Sequence, residues 1–133
     1  METYVLGIGC DRGTSLQTLS EAVDLALAQL RLQPDQVKQL ATIDQKADEL
    51  GLLALAKKRR WGLVFYSAAQ LSQVKVPNPS KVVLKYMGTP SVSEAAALLA
   101  GHGAIEDLVL EKLKHKGQDQ KHATISIGRI KGE

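Results

Sequence analysis

The stretch YVLGIGCDRGTS, residues 4–15, decides the fold. Its apolar first half predicts a buried β-strand, and the glycines that follow predict a tight turn. Leucine, valine and alanine then recur at helical spacing as far as Leu30, so the turn leads into an amphipathic helix. Thr14 and Gln17 have the spacing of a capping box at the start of that helix. A strand, a glycine turn and a helix in this order are typical of α/β proteins.

The same alternation of short apolar runs and helical periods continues along the chain, which predicts an α/β layered fold. Further strands are predicted at residues 40–43, 63–66, 108–110 and 123–130. A hairpin through Gly117 would pair the last two strands. Four polar residues stand where helices are expected to begin and can cap them, namely Asp48, Ser67, Ser80 and Ser91. Ser91 and Glu94 also have capping-box spacing.

The composition is that of an ordinary folded protein, since 44% of the 133 residues are hydrophobic and 23% are charged, and the length suits one domain. Aromatic residues make up only 4%, which counts against base stacking on single-stranded nucleic acid. The longest apolar run, residues 95–100, is far too short to span a membrane. With one cysteine the chain forms no internal disulfide. We expect a cytoplasmic protein with no nucleic-acid or membrane partner.

The net charge of +3 lies entirely near the C-terminus. Residues 1–110 hold eleven basic and eleven acidic residues, whose charges cancel. The last 23 residues hold six basic residues against three acidic ones. Such a segment is either a solvated surface or an attractor of anions. Lys112 and Lys114, on one face of a predicted strand, are the candidates for anion binding.

The loop after the first strand offers groups that bind anions. It has the position of a dinucleotide-binding loop but not the spacing, because Arg12 stands where the third glycine is required. Gly9 and Gly13 allow close backbone approach, and a helix N-terminus offers free N–H donors to an anion. The guanidinium of Arg12 adds a planar donor fork for a carboxylate. The alternative is a tight turn whose Arg12 faces water.

The cysteine and the histidines give weaker signals. Cys10 lies near a helix N-terminus, where a thiol can have a lowered pKa and act as a nucleophile. The alternative is a small buried hydrophobic residue. The three histidines form no pair at i,i+4 spacing, so we predict no metal site, and no cofactor is expected.

Carboxylates follow the second predicted strand. Asp44, Asp48 and Glu49 lie there together with Lys46. Ligands of open α/β sheets bind beyond the carboxyl ends of strands, so Asp44 is placed to act as a general base or to orient Arg12. The alternative is a polar loop in which Asp48 caps the next helix.

A second loop, residues 88–94, is rich in hydroxyl groups and leads into an alanine-rich helix. The backbone amides of such a loop can hold an anion or a lactone carbonyl. Plain helix capping is the alternative, and it is favoured when the loop is considered by itself.

Four segments together resemble one family: GIGCDRGTS at 7–15, ATIDQKADE with GLLALA at 41–56, VPNPS at 76–80 and GTPSVSEAAALLA at 88–100. With the later Lys-x-Lys at 112–114 and the strand at 123–127, they are similar to the C-terminal domain of CbiG and to the stand-alone protein CobE of cobalamin (vitamin B12) biosynthesis. The resemblance covers nearly the whole chain. It implies a single three-layer α/β/α domain over residues 1–133, with a mixed sheet of about five strands.

The resemblance also implies a ligand and a reaction. Full-length CbiG is a cobalt-precorrin-5A hydrolase, which opens the δ-lactone of the contracted ring and releases acetaldehyde. We therefore expect this chain to bind a precorrin or cobalt-precorrin, a tetrapyrrole with many carboxylates. The residues expected to bind it are Gly9, Cys10, Arg12, Gly13, Thr14, Ser15, Lys46, Asn78, Ser80, Thr89, Ser91, Ser93, Lys112 and Lys114.

If the chain is catalytic, the expected reaction is hydrolytic. Asp44 or Glu49 would activate water, and Arg12 and Lys46 would anchor carboxylates. Backbone amides of residues 13–15 or 89–91 would stabilise the oxyanion.

Two departures leave alternatives open. Leu50 stands where the family has proline, which slightly loosens the helix start. The chain corresponds to the C-terminal domain of CbiG, so it is either a hydrolase or a non-catalytic corrinoid carrier, or an accessory partner of a pathway methyltransferase. Other enzymes of the pathway are then candidate partners. A phosphate- or nucleotide-binding α/β module is a third alternative, which rests on the glycine loop alone.

Overall fold

The computed structural model describes residues 2–132, which form a five-stranded mixed β-sheet with helices on both faces. The strands are β1 (Tyr4–Cys10), β2 (Val37–Ile43), β3 (Gly62–Tyr66), β4 (Leu108–Lys116) and β5 (His122–Arg129). The helices are α1 (Leu16–Leu30), α2 (Leu50–Arg59), α3 (Ala68–Ser72), α4 (Lys81–Met87) and α5 (Val92–Ala100). Short 3₁₀ turns precede β2, α2 and β4.

The strand order is β3-β2-β1-β5-β4. β1, β2 and β3 are parallel, whereas β5 runs antiparallel to both β1 and β4. The first residues of β5 therefore lie beside the last residues of β1. The predicted hairpin is confirmed, because the N–H of Gly117 donates to the carbonyl of Lys121 at 2.9 Å between β4 and β5. The predicted α/β fold with a mixed five-stranded sheet is also confirmed.

Each face of the sheet has its own hydrophobic core. Leu6 and Ile8 of β1 pack against α1 and α2, whereas Val5, one position before Leu6, packs against α5. This alternation follows from the two-residue period of a strand. A fully buried side chain of this size stabilises the fold by about 1.5–3 kcal/mol, so the two cores hold the three layers together.

α5 lies unusually close to β1. A Cβ added at Gly7 would lie 1.8 Å from the carbonyl oxygen of Ser93, which no side chain can tolerate. The alanines of α5, residues 95–97, are fully buried against the sheet. This close approach places the first turn of α5 beside the carboxyl end of β1.

The start of α1 differs from the prediction. Its cap is Ser15, whose hydroxyl accepts from the N–H of Thr18 at 3.1 Å. The prediction of a capping box formed by Thr14 and Gln17 is therefore wrong. The hydroxyl of Thr14 instead donates to the carbonyl of Asp11 at 2.6 Å, within the preceding loop.

Two other caps also differ. Glu49, rather than Asp48, precedes α2, because Asp48 is drawn to Arg12 by an ion pair. Ser91 precedes α5 as predicted, but its hydroxyl donates to the Glu94 carboxylate and caps no backbone N–H. The predicted caps of α3 and α4 are confirmed at Ser67 and Ser80.

None of the helices within residues 2–132 is both long enough and apolar enough to cross a membrane.

Candidate functional site

A cavity of about 390 Å³ opens at the edge of the sheet where β1 ends and β5 begins. Strands β1, β5 and β4 form its floor, and α4 with the first turn of α5 forms its walls. A second hollow, next to Asn78 and Glu111, shares Ser80, Lys112 and Lys114 with the first. The two hollows therefore form one groove, and the cavity alone already has the volume of a small-molecule site.

The floor is a row of residues that crosses three strands. Gly9 of β1 lies opposite Thr124 of β5, which lies opposite Lys114 of β4. Lys112 and His122, two positions away along β4 and β5, also line the cavity. Lys112 and Lys114, which were predicted to share a strand face, therefore lie near the end of β1. They do so because β5 lies between β1 and β4 in the sheet.

Three lysines line the cavity without a carboxylate partner. Lys46 comes from the turn after β2 and is only 8% exposed. Within residues 2–132, the ammonium groups of Lys46, Lys112 and Lys114 form no ion pair, and only that of Lys112 forms a hydrogen bond, to the carbonyl of Asn78 at 2.8 Å. A buried cation that lacks a partner is costly, so Lys46 indicates a place for an anion.

The first turn of α5 adds backbone donors. Ser91, Val92 and Ser93 line the cavity. In the part of the chain that the structure describes, the N–H groups of Val92 and Ser93 have no protein acceptor. Free N–H groups at the positive end of a helix favour an anion, so this turn complements the lysines.

A buried carboxylate holds the loop before α4 in place. Glu94 is fully buried and accepts hydrogen bonds from the backbone N–H of Asn78 (3.2 Å), its side-chain amide (2.7 Å) and the Ser91 hydroxyl (3.0 Å). The same amide group also donates to Glu111 at 2.8 Å. Asn78 therefore fixes the loop to both α5 and β4, at the boundary between the two hollows.

α4 gives the cavity an apolar wall. Val82, Val83, Tyr86 and Met87 all line the cavity. Val82 and Tyr86 nevertheless remain 66% and 70% exposed. A partly uncovered apolar wall beside cationic groups suits a ligand that is both flat and anionic.

Asp11 and His122 form a pair at the rim of the cavity. Oδ2 of Asp11 lies 2.8 Å from Nδ1 of the His122 ring and also accepts the backbone N–H of His122 at 2.7 Å. Burial acts to raise the pKa of the Asp11 carboxyl, but these hydrogen bonds and the ring's charge outweigh it and lower that pKa. Asp11 is therefore ionised at neutral pH.

Cys10 lines the cavity as a protonated thiol. Burial is the largest influence on it and raises its pKa, against the opposing charge of Lys46. The thiolate form that a nucleophile requires is therefore disfavoured. This agrees with the alternative of a small, mostly buried hydrophobic residue.

The loop that leads into α1 is closed by the protein's own carboxylates. Arg12 donates to Asp48 at 2.6 Å and lies 2.7 Å from Glu49, which is only 3% exposed. Glu49 also accepts the N–H of Gly13 at 2.9 Å. Hydrogen bonding to Asp48 raises the pKa of the Arg12 guanidinium. Asp48 and Glu49, and not Asp44, thus orient Arg12.

Asp119 completes this closed cluster from the turn between β4 and β5. Its carboxylate accepts the N–H of Ser15 at 3.0 Å and the hydroxyl of Thr18 at 2.8 Å. The hydrogen bond from the Ser15 backbone is the largest cause of a strongly lowered pKa at Asp119. With these donors occupied, the expectation that amides of residues 13–15 stabilise an oxyanion is wrong.

The structure brings together only some of the predicted residues. Those that line the cavity are Gly9, Cys10, Lys46, Ser80, Ser91, Ser93, Lys112 and Lys114. Those outside it are Arg12, Gly13, Thr14 and Ser15, in the closed cluster, Thr89, which is fully buried, and Asn78, which lines the adjoining hollow. Of the predicted catalytic residues, Asp44 is exposed outside the cavity and Glu49 is buried against Arg12.

Sequence reasoning missed Asp11, His122, Thr124 and the apolar wall of α4. Asp11 and His122 are 111 positions apart in the chain, and only the antiparallel pairing of β1 with β5 joins them. The alternation of residues 122–128 along β5 was a usable signal for which side chains share a face. The described residues contain no group of three or more potential metal ligands.

The family model described as cobalamin synthesis G C-terminus matches residues 4–128. The chain is 40% identical over 129 residues to a cobalt-precorrin-5A hydrolase of Priestia megaterium; this match takes in 97% of the chain and 33% of that relative. The chain thus spans about a third of the length of this hydrolase. It is also 35% identical over 126 residues to protein CobE of a Sinorhizobium species, which covers 92% of the chain and 77% of that protein.

A solved structure gives the same picture of the fold. The crystal structure of CobE, a protein from the cobalamin biosynthetic pathway, superposes with a TM-score of 0.80. The two chains are 31% identical, and the match covers 96% of this chain and 90% of that one. The five-stranded mixed sheet with helices on both faces is therefore the fold of this relative as well.

Proposed function

The chain belongs to the CbiG C-terminal family and is a cobalamin biosynthesis protein related to the C-terminal domain of cobalt-precorrin-5A hydrolase, and from this premise we propose that its cavity binds a precorrin or cobalt-precorrin intermediate. The finer part of the proposal is that the bound δ-lactone is opened there. We place the protein in the cytoplasm.

One observation carries the proposal: Lys46 is buried at the cavity and forms no ion pair with a carboxylate of the described residues. A protein seldom leaves a buried cation unpaired unless a ligand supplies the anion. Lys112 and Lys114 lie across the same cavity, and the first turn of α5 offers two free N–H groups. Acetate and propionate side chains of a tetrapyrrole supply the complementary charges.

The size and shape of the groove favour a binding mode in which only one edge of the macrocycle enters the cavity. About 390 Å³ is near the lower end of the range for small-molecule sites, so a macrocycle would place only one edge in the cavity. The exposed side chains of α4, Val82 and Tyr86, would then contact the flat face of the ring. Carboxylates farther around the ring would reach Lys112 and Lys114 along the adjoining hollow.

A carrier or accessory role is the second candidate. The observation that favours it is that neither Asp44 nor Glu49, the carboxylates expected to activate water, lines the cavity. A carrier would bind the corrinoid without converting it, whereas a hydrolase would release acetaldehyde from the lactone.

Titration with hydrogenobyrinic acid, a cobalt-free corrinoid polycarboxylate, tests the binding. We expect tight binding that weakens with added salt, and little binding of its methyl ester, which has the same ring without the charges. The double variant K112Q/K114Q should weaken binding by about tenfold and flatten the salt dependence, because two exposed ion pairs are lost.

A matched control is the double variant K57Q/K58Q on α2, which removes the same charge from exposed positions outside the cavity. Its affinity should equal that of the unaltered chain. Equal affinities for acid and ester, or equal losses in both double variants, would contradict a carboxylate site at this cavity.

A further inference from the structure

The pair formed by Asp11 and His122 has the arrangement of a general base. We propose that His122, oriented by Asp11, removes a proton from the water that opens the δ-lactone, an inference that rests on the proposed function of the cavity. Both residues line the cavity, and their side chains meet across the junction of β1 and β5.

The geometry fixes which ring nitrogen is the base. An ionised carboxylate only accepts hydrogen bonds, so Nδ1 of His122, 2.8 Å from Oδ2 of Asp11, is the donor. Nε2 then carries the lone pair in the neutral ring. The second hydrogen bond to Asp11, from the His122 backbone N–H at 2.7 Å, keeps the carboxylate in register with the ring.

The position of the pair matches the rest of the cavity. His122 stands two positions before Thr124, which lies opposite Gly9 and Lys114 on the floor. The first turn of α5, with its free N–H groups at Val92 and Ser93, forms the facing wall. A lactone carbonyl that enters the cavity therefore has donors on one side and the imidazole at the rim.

The reaction balances with water as the only co-reactant. Nε2 takes a proton from water, and the water oxygen forms a bond to the lactone carbonyl carbon, whose π electrons move to the carbonyl oxygen. When the carbonyl re-forms, the ring C–O bond breaks, and the departing alkoxide takes the proton from the imidazolium. The products are a carboxylic acid and an alcohol, and the imidazole returns to its neutral form.

The other titratable side chains in the cavity are poorer candidates for this role. The pKa of the Cys10 thiol is raised by burial, so the thiol keeps its proton. Lys46, Lys112 and Lys114 are the groups that hold carboxylates. Asp44 and Glu49, expected from the sequence to activate water, do not line the cavity.

The test compares variants with a matched control on the opposite face of the sheet. His115 of β4 also pairs with a carboxylate, through Nε2 to Glu21 at 2.9 Å, but does not line the cavity. The full chain, H122Q, D11N and H115Q are each mixed with the δ-lactone, cobalt-precorrin-5A. Mass spectrometry follows its gain of one water or its loss of acetaldehyde, and the affinity for hydrogenobyrinic acid is measured in parallel.

We expect H122Q to lower the rate of lactone opening by about 100-fold while its corrinoid affinity stays within a factor of about two. D11N should lower the rate by about tenfold or more, since the ring loses its fixed tautomer. H115Q should react at the rate of the unaltered chain.

Nitrogen NMR of the unaltered chain gives a readout that does not depend on folding of a variant. The His122 ring should show the Nδ1–H tautomer, and D11N should shift it towards Nε2–H. Observation of the Nε2–H tautomer in the unaltered chain would overturn the inference.

The outcomes separate this inference from the proposed function. Corrinoid binding without lactone opening, or equal rates in H122Q and H115Q, overturns the general base and leaves binding intact. Absence of corrinoid binding to the unaltered chain overturns the proposed function, and the inference falls with it.

Discussion

The N-termini of α1 and α5 present the same chemistry, yet only that of α5 opens on the cavity. Both follow loops with glycine and hydroxyl residues, and both point their first N–H groups towards the carboxyl end of the sheet. At α1 the N–H groups of Gly13 and Ser15, which lead into the helix, donate to Glu49 and Asp119 of the chain itself. At α5 the carboxylate of Glu94 turns away to Asn78, and two N–H groups stay free beside the cavity.

This difference shows what a helix N-terminus needs in order to be a site. Its donors and dipole attract an anion from any source, and the protein's own carboxylates have the highest effective concentration. The N-terminus of α1 therefore stabilises the fold, because Asp119 ties the hairpin of β4 and β5 to α1. The N-terminus of α5 keeps its donors for a ligand and has an unpaired Lys46 beside it.

The substitution with the largest expected effect is at Gly7, because the absence of a side chain there allows α5 to pack directly on the sheet. G7V would place side-chain atoms where the Ser93 carbonyl lies, because even a Cβ there comes within 1.8 Å of that oxygen. We expect the free energy of unfolding to fall by about 3 kcal/mol and corrinoid binding to be lost. Urea unfolding and the hydrogenobyrinic acid titration measure the two effects.

G9A is the control for this substitution. Gly9 lies two positions farther along β1, and a Cβ there would meet nothing closer than Val92 at 3.9 Å. Its stability should stay within about 1 kcal/mol of the unaltered chain. A G7V protein as stable as G9A would show that α5 does not depend on close contact with β1.

Lys46 tests the other side of the comparison, the cavity beside the N-terminus of α5. K46Q should weaken binding of hydrogenobyrinic acid by about 10- to 100-fold, because a charge-assisted hydrogen bond in a buried site contributes about 1.5–3 kcal/mol. Stability should change little, since the substitution removes a mostly buried cation that forms no ion pair or hydrogen bond within residues 2–132.

K38Q, at an exposed position near the start of β2 and outside the cavity, serves as the control for K46Q. Its affinity should match that of the unaltered chain. Similar losses in K46Q and K38Q would mean that overall charge, and not the ammonium group of Lys46 at the cavity, attracts the ligand.

Much of the fold was predictable because its signals are local. The apolar run of β1, the leucine period of α1 and the serine caps of α3 and α4 each lie within a few residues. The errors concern caps, where competing partners come from elsewhere in the chain. Asp48 left its predicted cap position for Arg12, and Ser91 turned its hydroxyl to Glu94.

The site was predictable only as a set of candidate groups. In the sequence, Lys112 and Lys114 belong to a local excess of positive charge. The antiparallel pairing of β5 with both β1 and β4 then places them near the end of β1. The sequence ranks Arg12 and Lys46 alike as anchors of carboxylates. The two side chains differ because Asp48 and Glu49 form ion pairs with Arg12, whereas no carboxylate of residues 2–132 forms one with Lys46.

The smallest expected effect concerns Asp119, whose carboxylate lies in the closed cluster at the start of α1. The pKa of its carboxyl is strongly lowered in the folded chain, chiefly by the hydrogen bond from the Ser15 N–H. A lowered folded pKa stabilises the protein above the unfolded value, which is about 3.9 for Asp, and this contribution is lost as the pH falls further. D119N should therefore unfold at a lower urea concentration than the unaltered chain at pH 7, and the gap should narrow at acidic pH.

D35N is the control, because Asp35 is an exposed carboxylate in the 3₁₀ turn that follows the other end of α1. It removes the same charge and should change the urea midpoint little at either pH. Corrinoid affinity should be unchanged in D119N, since neither Asp119 nor Ser15 lines the cavity. A D119N protein that loses corrinoid affinity while keeping its stability would reverse the assignment, with the α1 end acting as the ligand site and the carboxylate of Asp119 as part of it.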